Sequence, residues 1–209
     1  MRMHKLLLQI LAFGAVATLA GTALGQPRPP VNLSRDSAGQ IEDQPGYVPS
    51  PEEEGALDPQ YKHQMVFYRT SEQPGTIIVD TPARFLYLVQ GNNRAIRYGI
   101  GVGRDGFQWS GLLKISRKAE WPDWTPPPEM IERQPYLPRF MAGGPGNPLG
   151  ARAFYLGSTV YRIHGTNMPE TIGTSVSSGC FRLANAEIID LYERVPAGTK
   201  VVVRQQPTM

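Results

Sequence analysis

From residue 76 onward the chain alternates short runs of β-branched and aromatic residues with turn formers. Thr76-Ile-Ile-Val-Asp80, Arg84-Phe-Leu-Tyr-Leu-Val-Gln90 and Arg94-Ala-Ile-Arg-Tyr-Gly-Ile-Gly-Val102 are such runs. Between the last two, Gly91, Asn92 and Asn93 supply residues that tolerate a left-handed turn. The pattern predicts consecutive antiparallel strands. Leu112 to Ser116, Ala151 to Gly157, Thr159 to Ile163 and Lys200 to Arg204 are further strand candidates, so the expected fold is mainly β with one or two helices.

One segment has a helical period instead: Ile188, Leu191, Tyr192 and Val195 recur at i, i+3, i+4 and i+7. Asn185 is placed to cap it, Glu187 and Asp190 are early acids, Arg194 is a late base, and Pro196 and Gly198 end it. Between Lys118 and Gly150 neither period holds. Trp121, Trp124, Pro126 to Pro128, Pro135, Pro138 and Gly143 to Gly146 make this stretch too rich in proline for a sheet. A loop of that length predicts a lid, with Trp121 and Trp124 forming a mobile wall over a cleft. No repeat of solenoid or propeller length is present.

Residues 1–25 read as a secretory signal. Arg2 and Lys5 precede an almost wholly apolar run from Leu6 to Ala20, and Ala23-Leu24-Gly25 offers small residues for cleavage. The run is shorter than the ~20 residues that span a bilayer, so export to the periplasm or cell envelope is expected rather than anchoring. Residues 26–70 read as a flexible spacer, rich in proline and acid and poor in large apolar side chains. Residues 71–205 are the expected catalytic domain.

The formal net charge is +3, unevenly spread. Residues 26–60 hold 2 basic and 7 acidic residues, whereas residues 61–209 hold 17 basic and 11 acidic. Nucleic acid is not suggested as a partner, and a mildly basic domain suits an anionic polymer weakly.

The chain has one cysteine, so no internal disulfide forms. Cys180 is an inert buried thiol, a partner for another chain, or a working nucleophile. Its setting, Ser177-Ser178-Gly179-Cys180-Phe181-Arg182, favours the last: glycine leaves space beside the sulfur, and Arg182 shares its face if the segment is extended. A cysteine acyl-transferase needs a base. Of His4, His63 and His164, the first lies in the signal and the second borders the spacer. His164, at a predicted strand end and followed by Gly165, is selected by elimination, although a structural histidine fits the same sequence. Fifteen residues separate it from Cys180, enough for both to reach one cleft. A zinc site would depend on carboxylates that show no ligand spacing, so no metal or cofactor is expected.

His164-Gly-Thr-Asn167 followed by Ser177-Ser-Gly-Cys-Phe-Arg-Leu183 resembles the active-site signature of L,D-transpeptidases of the YkuD or ErfK type. The likeness extends over roughly residues 76–204. It implies a β-sandwich or mixed sheet with a long lid-like loop, whose cleft receives a peptidoglycan stem tetrapeptide. It further implies that Cys180 attacks the carbonyl of the third residue's L-centre and expels the terminal D-alanine, and that an acceptor amine then resolves the thioester into a 3-3 cross-link. Water as acceptor would make an L,D-carboxypeptidase; an outer-membrane protein as acceptor and carbapenems as acylating inhibitors are implied as well. Many members carry histidine where this chain has Ser178, and asparagine is common where Arg182 stands. Gly179 and Cys180 backbone N–H groups are candidate oxyanion donors. A wall-peptide hydrolase with the same dyad and a non-catalytic wall-binding module are the competing functions.

Overall fold

The computed structural model describes residues 57–206; the signal and the spacer up to residue 56 lie outside the described residues. The chain enters through a 3-10 turn, Pro59–Tyr61, capped by the Asp58 side chain accepting from the Gln60 N–H. Strands β1 (Gln64–Phe67), β2 (Ile77–Asp80), β3 (Phe85–Gly91), β4 (Arg94–Gly99), β5 (Val102–Gly103) and β6 (Gly111–Glu120) follow. Then come helix α1 (Pro128–Arg133), β7 (Arg152–Leu156), β8 (Arg162–His164), β9 (Ser175–Ser177), β10 (Phe181–Arg182), helix α2 (Asn185–Arg194) and β11 (Lys200–Arg204).

Nine strands form one mixed sheet in the order β1-β4-β3-β2-β11-β6-β7-β8-β10, and β5 pairs with β9 separately. The expected antiparallel run is present as β2-β3-β4. Its β3–β4 turn places Asn92 and Asn93 at φ 50 and 54, the left-handed pair that matches the twist of a two-residue hairpin. β2 is buried along its whole length, as a central strand covered on both faces should be. β6 is longer than the predicted Leu112 to Ser116 because it serves two partners. Its first part pairs with β11 and its second with β7, with a bulge between Ile115 and Arg117 where the change occurs. Side chains from both parts meet in one core: Ile77, Leu86 and Val201 pack with Phe154, Ile163, Phe181 and the α2 residues Ile188 and Leu191.

Two expectations need correction. The spacer does not run to residue 70. Leu57 and Tyr61 pack with Ile172 and Ala184, and β1 pairs with β4, because from residue 57 the chain regains apolar side chains to bury. Asn185 does not cap α2, which has Ala184 at that position without a side-chain cap bond. Its buried Oδ1 instead accepts the Ala151 N–H at 2.9 Å, tying the helix start to the end of the long loop. Glu187 is more than a helix-dipole acid: it is buried and accepts the backbone N–H of His63 and pairs with its Nδ1. At the other end of α2, Lys118 Nζ donates to the carbonyls of Tyr192 and Val195 at 2.6 and 2.8 Å, satisfying carbonyls that a helix end leaves open.

The Asn185→Ala substitution leaves the Ala151 N–H buried without an acceptor. A loss of about 1–3 kcal/mol is expected, read from urea denaturation. A loss of only a few tenths would mean that water replaces the bond and that the strut is dispensable.

Candidate active site

β10 lies parallel to β8, with Phe181 opposite Ile163 and Arg182 opposite His164. Alternate residues of a strand share a face. Ile163 and Phe181 turn into the core, and their neighbours face the other way. One step back along both chains, Cys180 lies beside Arg162, which acts on it both through charge and through its side chain. The result is a four-cornered array on one face: thiol beside guanidinium, imidazole beside guanidinium. All four side chains line a cleft of about 310 Å³.

Each corner is fixed by further contacts. His164 is 5% exposed, and its Nδ1 lies 2.6 Å from the Gly165 carbonyl. A carbonyl only accepts, so Nδ1 carries the proton and Nε2 is the basic nitrogen of the neutral ring. Burial pushes the His164 pKa down to about 3; the Gly165 carbonyl opposes this, and the charges of Arg182 and Arg162 add to it. Burial pushes the half-buried Cys180 thiol up, while Arg162 and Arg182 pull it back. The thiol donates weakly to the Val160 carbonyl at 3.9 Å. Both directions favour the uncharged pair at rest over a thiolate facing an imidazolium. The Nε and Nη2 of Arg182 and the Nε of Arg162 are buried without hydrogen-bond partners.

The turn carrying Cys180 is held by its own side chains. Ser177 Oγ donates to the Cys180 carbonyl at 2.6 Å and accepts the Gly179 N–H at 3.2 Å. The Gly179 carbonyl accepts from Trp109 Nε1 at 2.8 Å, and the Trp109 ring stacks on Tyr161, centroids 4.4 Å apart. A side chain at Gly179, whose φ is +106, would run into the Tyr161 ring, so only glycine fits there.

Of the residues singled out from sequence, Cys180, His164, Ser177, Ser178, Arg182 and Trp124 line the cleft. Gly165 lies behind it, lending its carbonyl to the imidazole. The Gly179 N–H, expected as an oxyanion donor, is engaged by Ser177. Trp121 is 7% exposed and is not on the cleft; it anchors the loop base, its carbonyl packed so tightly on Gly143 that a Cβ there would overlap it. The loop itself is cross-tied: Trp124 bridges Met141, the Asp123 carboxylate accepts the Gly143 N–H, and Asn147 donates to the carbonyls of Met141 and Ala142. Arg104, Arg133 and Arg162 also line the cleft and were missed. Only Arg162 had a legible signal, two residues before His164 on a predicted strand.

The YkuD family, described as the L,D-transpeptidase catalytic domain, matches residues 74–203. Among curated relatives, the "Probable L,D-transpeptidase ErfK/SrfK" of Escherichia coli K12 is 36% identical over 69% of this chain and 48% of its own; the chain thus spans about half the length of that relative. A solved chain from Brucella melitensis, described as a probable carnitine operon oxidoreductase, is 50% identical and covers 71% of this chain and 97% of that one. Its TM-score of 0.48 is too low to carry a structural argument. The catalytic domain of the E. faecium L,D-transpeptidase matches 65% of this chain and 100% of its own with 17% identity and a TM-score of 0.50, a likeness of fold alone.

The depressed His164 pKa predicts a pH dependence of stability. Between its ordinary value of 6.5 and about 3, the unfolded chain binds a proton at His164 that the folded chain refuses. Stability therefore falls as pH drops through this window, by up to about 1.4 kcal/mol per pH unit from this group. The His164→Gln variant is expected to show a shallower fall in urea titrations across the same range. Equal slopes in the two proteins would mean that the imidazole is already charged in the folded state.

Proposed function

The chain belongs to the L,D-transpeptidase catalytic domain family, and from that premise we propose that it is an exported cysteine acyl-transferase acting on peptidoglycan stem tetrapeptides. The observation that carries this reading is the placement of Cys180 and a tautomer-fixed His164 on one cleft face beside two guanidinium groups. A structural cysteine or histidine needs no such company. Export is supported by the charged, apolar and small-residue segments of residues 1–25.

In this mechanism the thiol and imidazole start uncharged. As the sulfur attacks the carbonyl carbon of the third residue's L-centre, its proton passes to Nε2 of His164. Arg162 lies beside the sulfur and stabilises negative charge there at the moment it develops. With the Gly179 N–H engaged, the Cys180 N–H is the backbone donor offered to the tetrahedral oxyanion. The C–N bond to the terminal D-alanine then breaks, the leaving amine takes the proton from His164, and the acyl group remains on sulfur as a thioester. Arg182, which lines the same cleft, suits the carboxylate of the departing D-alanine. An incoming amine repeats the sequence in reverse: it attacks the thioester carbon and gives its proton to His164, the C–S bond breaks, and the thiol regains a proton. An amine on a neighbouring stem yields a 3-3 cross-link. An amine on an envelope protein yields attachment to the wall, and water yields an L,D-carboxypeptidase.

A strained β-lactam carbonyl tests the acyl-enzyme directly. The folded protein should gain the mass of one opened carbapenem at Cys180, the Cys180→Ala protein should gain none, and the His164→Ala protein should react roughly 10²–10⁴-fold more slowly. An unmodified mass after long incubation with several carbapenems would count against the thioester mechanism. With a tetrapeptide donor and an amine acceptor, cross-linked product identifies a transferase, whereas released tripeptide alone identifies a carboxypeptidase. Independently, Arg162→Gln should move the pH midpoint of Cys180 alkylation by iodoacetamide upward, since it removes a charge that favours the thiolate. An unmoved midpoint would remove Arg162 from the mechanism.

A further inference from the structure

The four-cornered array does not use all of the positive charge in the cleft. Arg104 and Arg133 also line it. They come from separate elements: Arg104 follows β5, with its N–H held by the Ser177 carbonyl at 3.0 Å, and Arg133 ends α1. Both guanidinium groups converge on one ring, 4.3 Å and 4.9 Å from the Phe107 centroid. Neither has an ion-pair partner among the described residues, and no carboxylate lines the cleft. Two like charges drawn to one aromatic ring in one cleft repel each other, and an anion between them relieves that repulsion. Arg104 also reaches toward the nucleophile turn, its Nη1 3.5 Å from Ser178 Oγ, so an anion held here lies within one peptide's reach of the thiol. Arg133 is exposed, which puts this pair at the mouth of the cleft, apart from Arg162 and Arg182 beside the sulfur.

We propose that Arg104 and Arg133, seated on Phe107, form an anion subsite that binds a second carboxylate of the donor peptide, one borne by a residue that stays on the enzyme after the leaving residue departs. This rests on the transferase reading above and adds a substrate class to it: donors whose retained residues carry free carboxylates rather than amides. The subsite contributes binding in the ground and transition states alike, so its signature is in KM rather than kcat.

The test uses the full chain and two sets of synthetic tetrapeptide donors, each with a free terminal carboxylate. In one set the carboxylates on retained residues are free, and in the other they are converted singly to amides. For the unmodified protein, one of these amides should raise KM about 10–100-fold, the range of a lost charge-assisted hydrogen bond, with kcat within about threefold. The Arg104→Gln/Arg133→Gln protein should no longer distinguish that amide from the acid, and Arg133→Lys should restore part of the preference. The single Arg133→Gln change, at an exposed helix end, provides the same readout if the double variant folds poorly. Turnover of acid and amide donors with equal KM by the unmodified protein overturns the subsite while leaving the transferase intact, as does a preference that survives in the variants. No turnover of any donor, together with no acylation of Cys180, overturns the transferase reading and the subsite with it.

Discussion

A strand's side chains alternate between faces, so the short parallel pairing of β10 with β8 decides what the cleft contains. With Phe181 opposite Ile163 and Arg182 opposite His164, the two apolar residues enter the core and Arg162, His164, Cys180 and Arg182 turn toward the cleft. A slip of one residue in β10 would send Phe181 to the cleft and bury Cys180 and Arg182 among apolar side chains. The register is thus guarded by hydrophobic burial: Ile163 and Phe181 are 0% and 1% exposed, and a slip would expose one of them while stranding a charge in the core. The core therefore selects the geometry of the site.

That geometry also fixes the electrostatic character of the cleft. Burial is the main reason that the protonated ring is costly and the pKa of His164 low, and the two guanidinium charges add to it, while the same guanidinium charges oppose the desolvation of the thiol. Such a site holds no separated charges at rest and is built to accept negative charge when it forms. The backbone carbonyl of Gly165 serves as the orienting acceptor for the ring, a role that a carboxylate often fills elsewhere. A neutral acceptor suits this cleft because it fixes the tautomer without raising the basicity of the ring as a full negative charge would.

The support behind the site comes from distant parts of the chain. Trp109, just before β6, holds the Gly179 carbonyl and stacks on Tyr161 next to β8. Asn185 at the start of α2 holds the Ala151 N–H. Tyr61, which precedes β1, packs with Ile172 and Ala184 on either side of the cysteine turn. The long loop, expected to be a mobile wall, is cross-tied by Asp123, Asn147 and the Trp124–Met141 bridge, with Trp121 at its base and Trp124 on the cleft.

The sequence by itself determined most of the strands, the long helix after the cysteine and the choice of Cys180 and His164 as candidates for the proposed acyl transfer. Those features are local: apolar periodicity is written in consecutive residues, and a chain with one cysteine and few histidines leaves little choice of dyad. It misassigned Asn185, Gly179 and Trp121, because each could act either locally or across the fold and nothing nearby in sequence shows which. It was silent on Arg104 and Arg133, which are 29 positions apart and become neighbours only over Phe107. Tertiary structure alone decided the tautomer of His164, the pairing of Cys180 with Arg162 and the collection of positive charge in the cleft. Each of these depends on distances between segments, which strand register and core packing set and which no single stretch of sequence encodes.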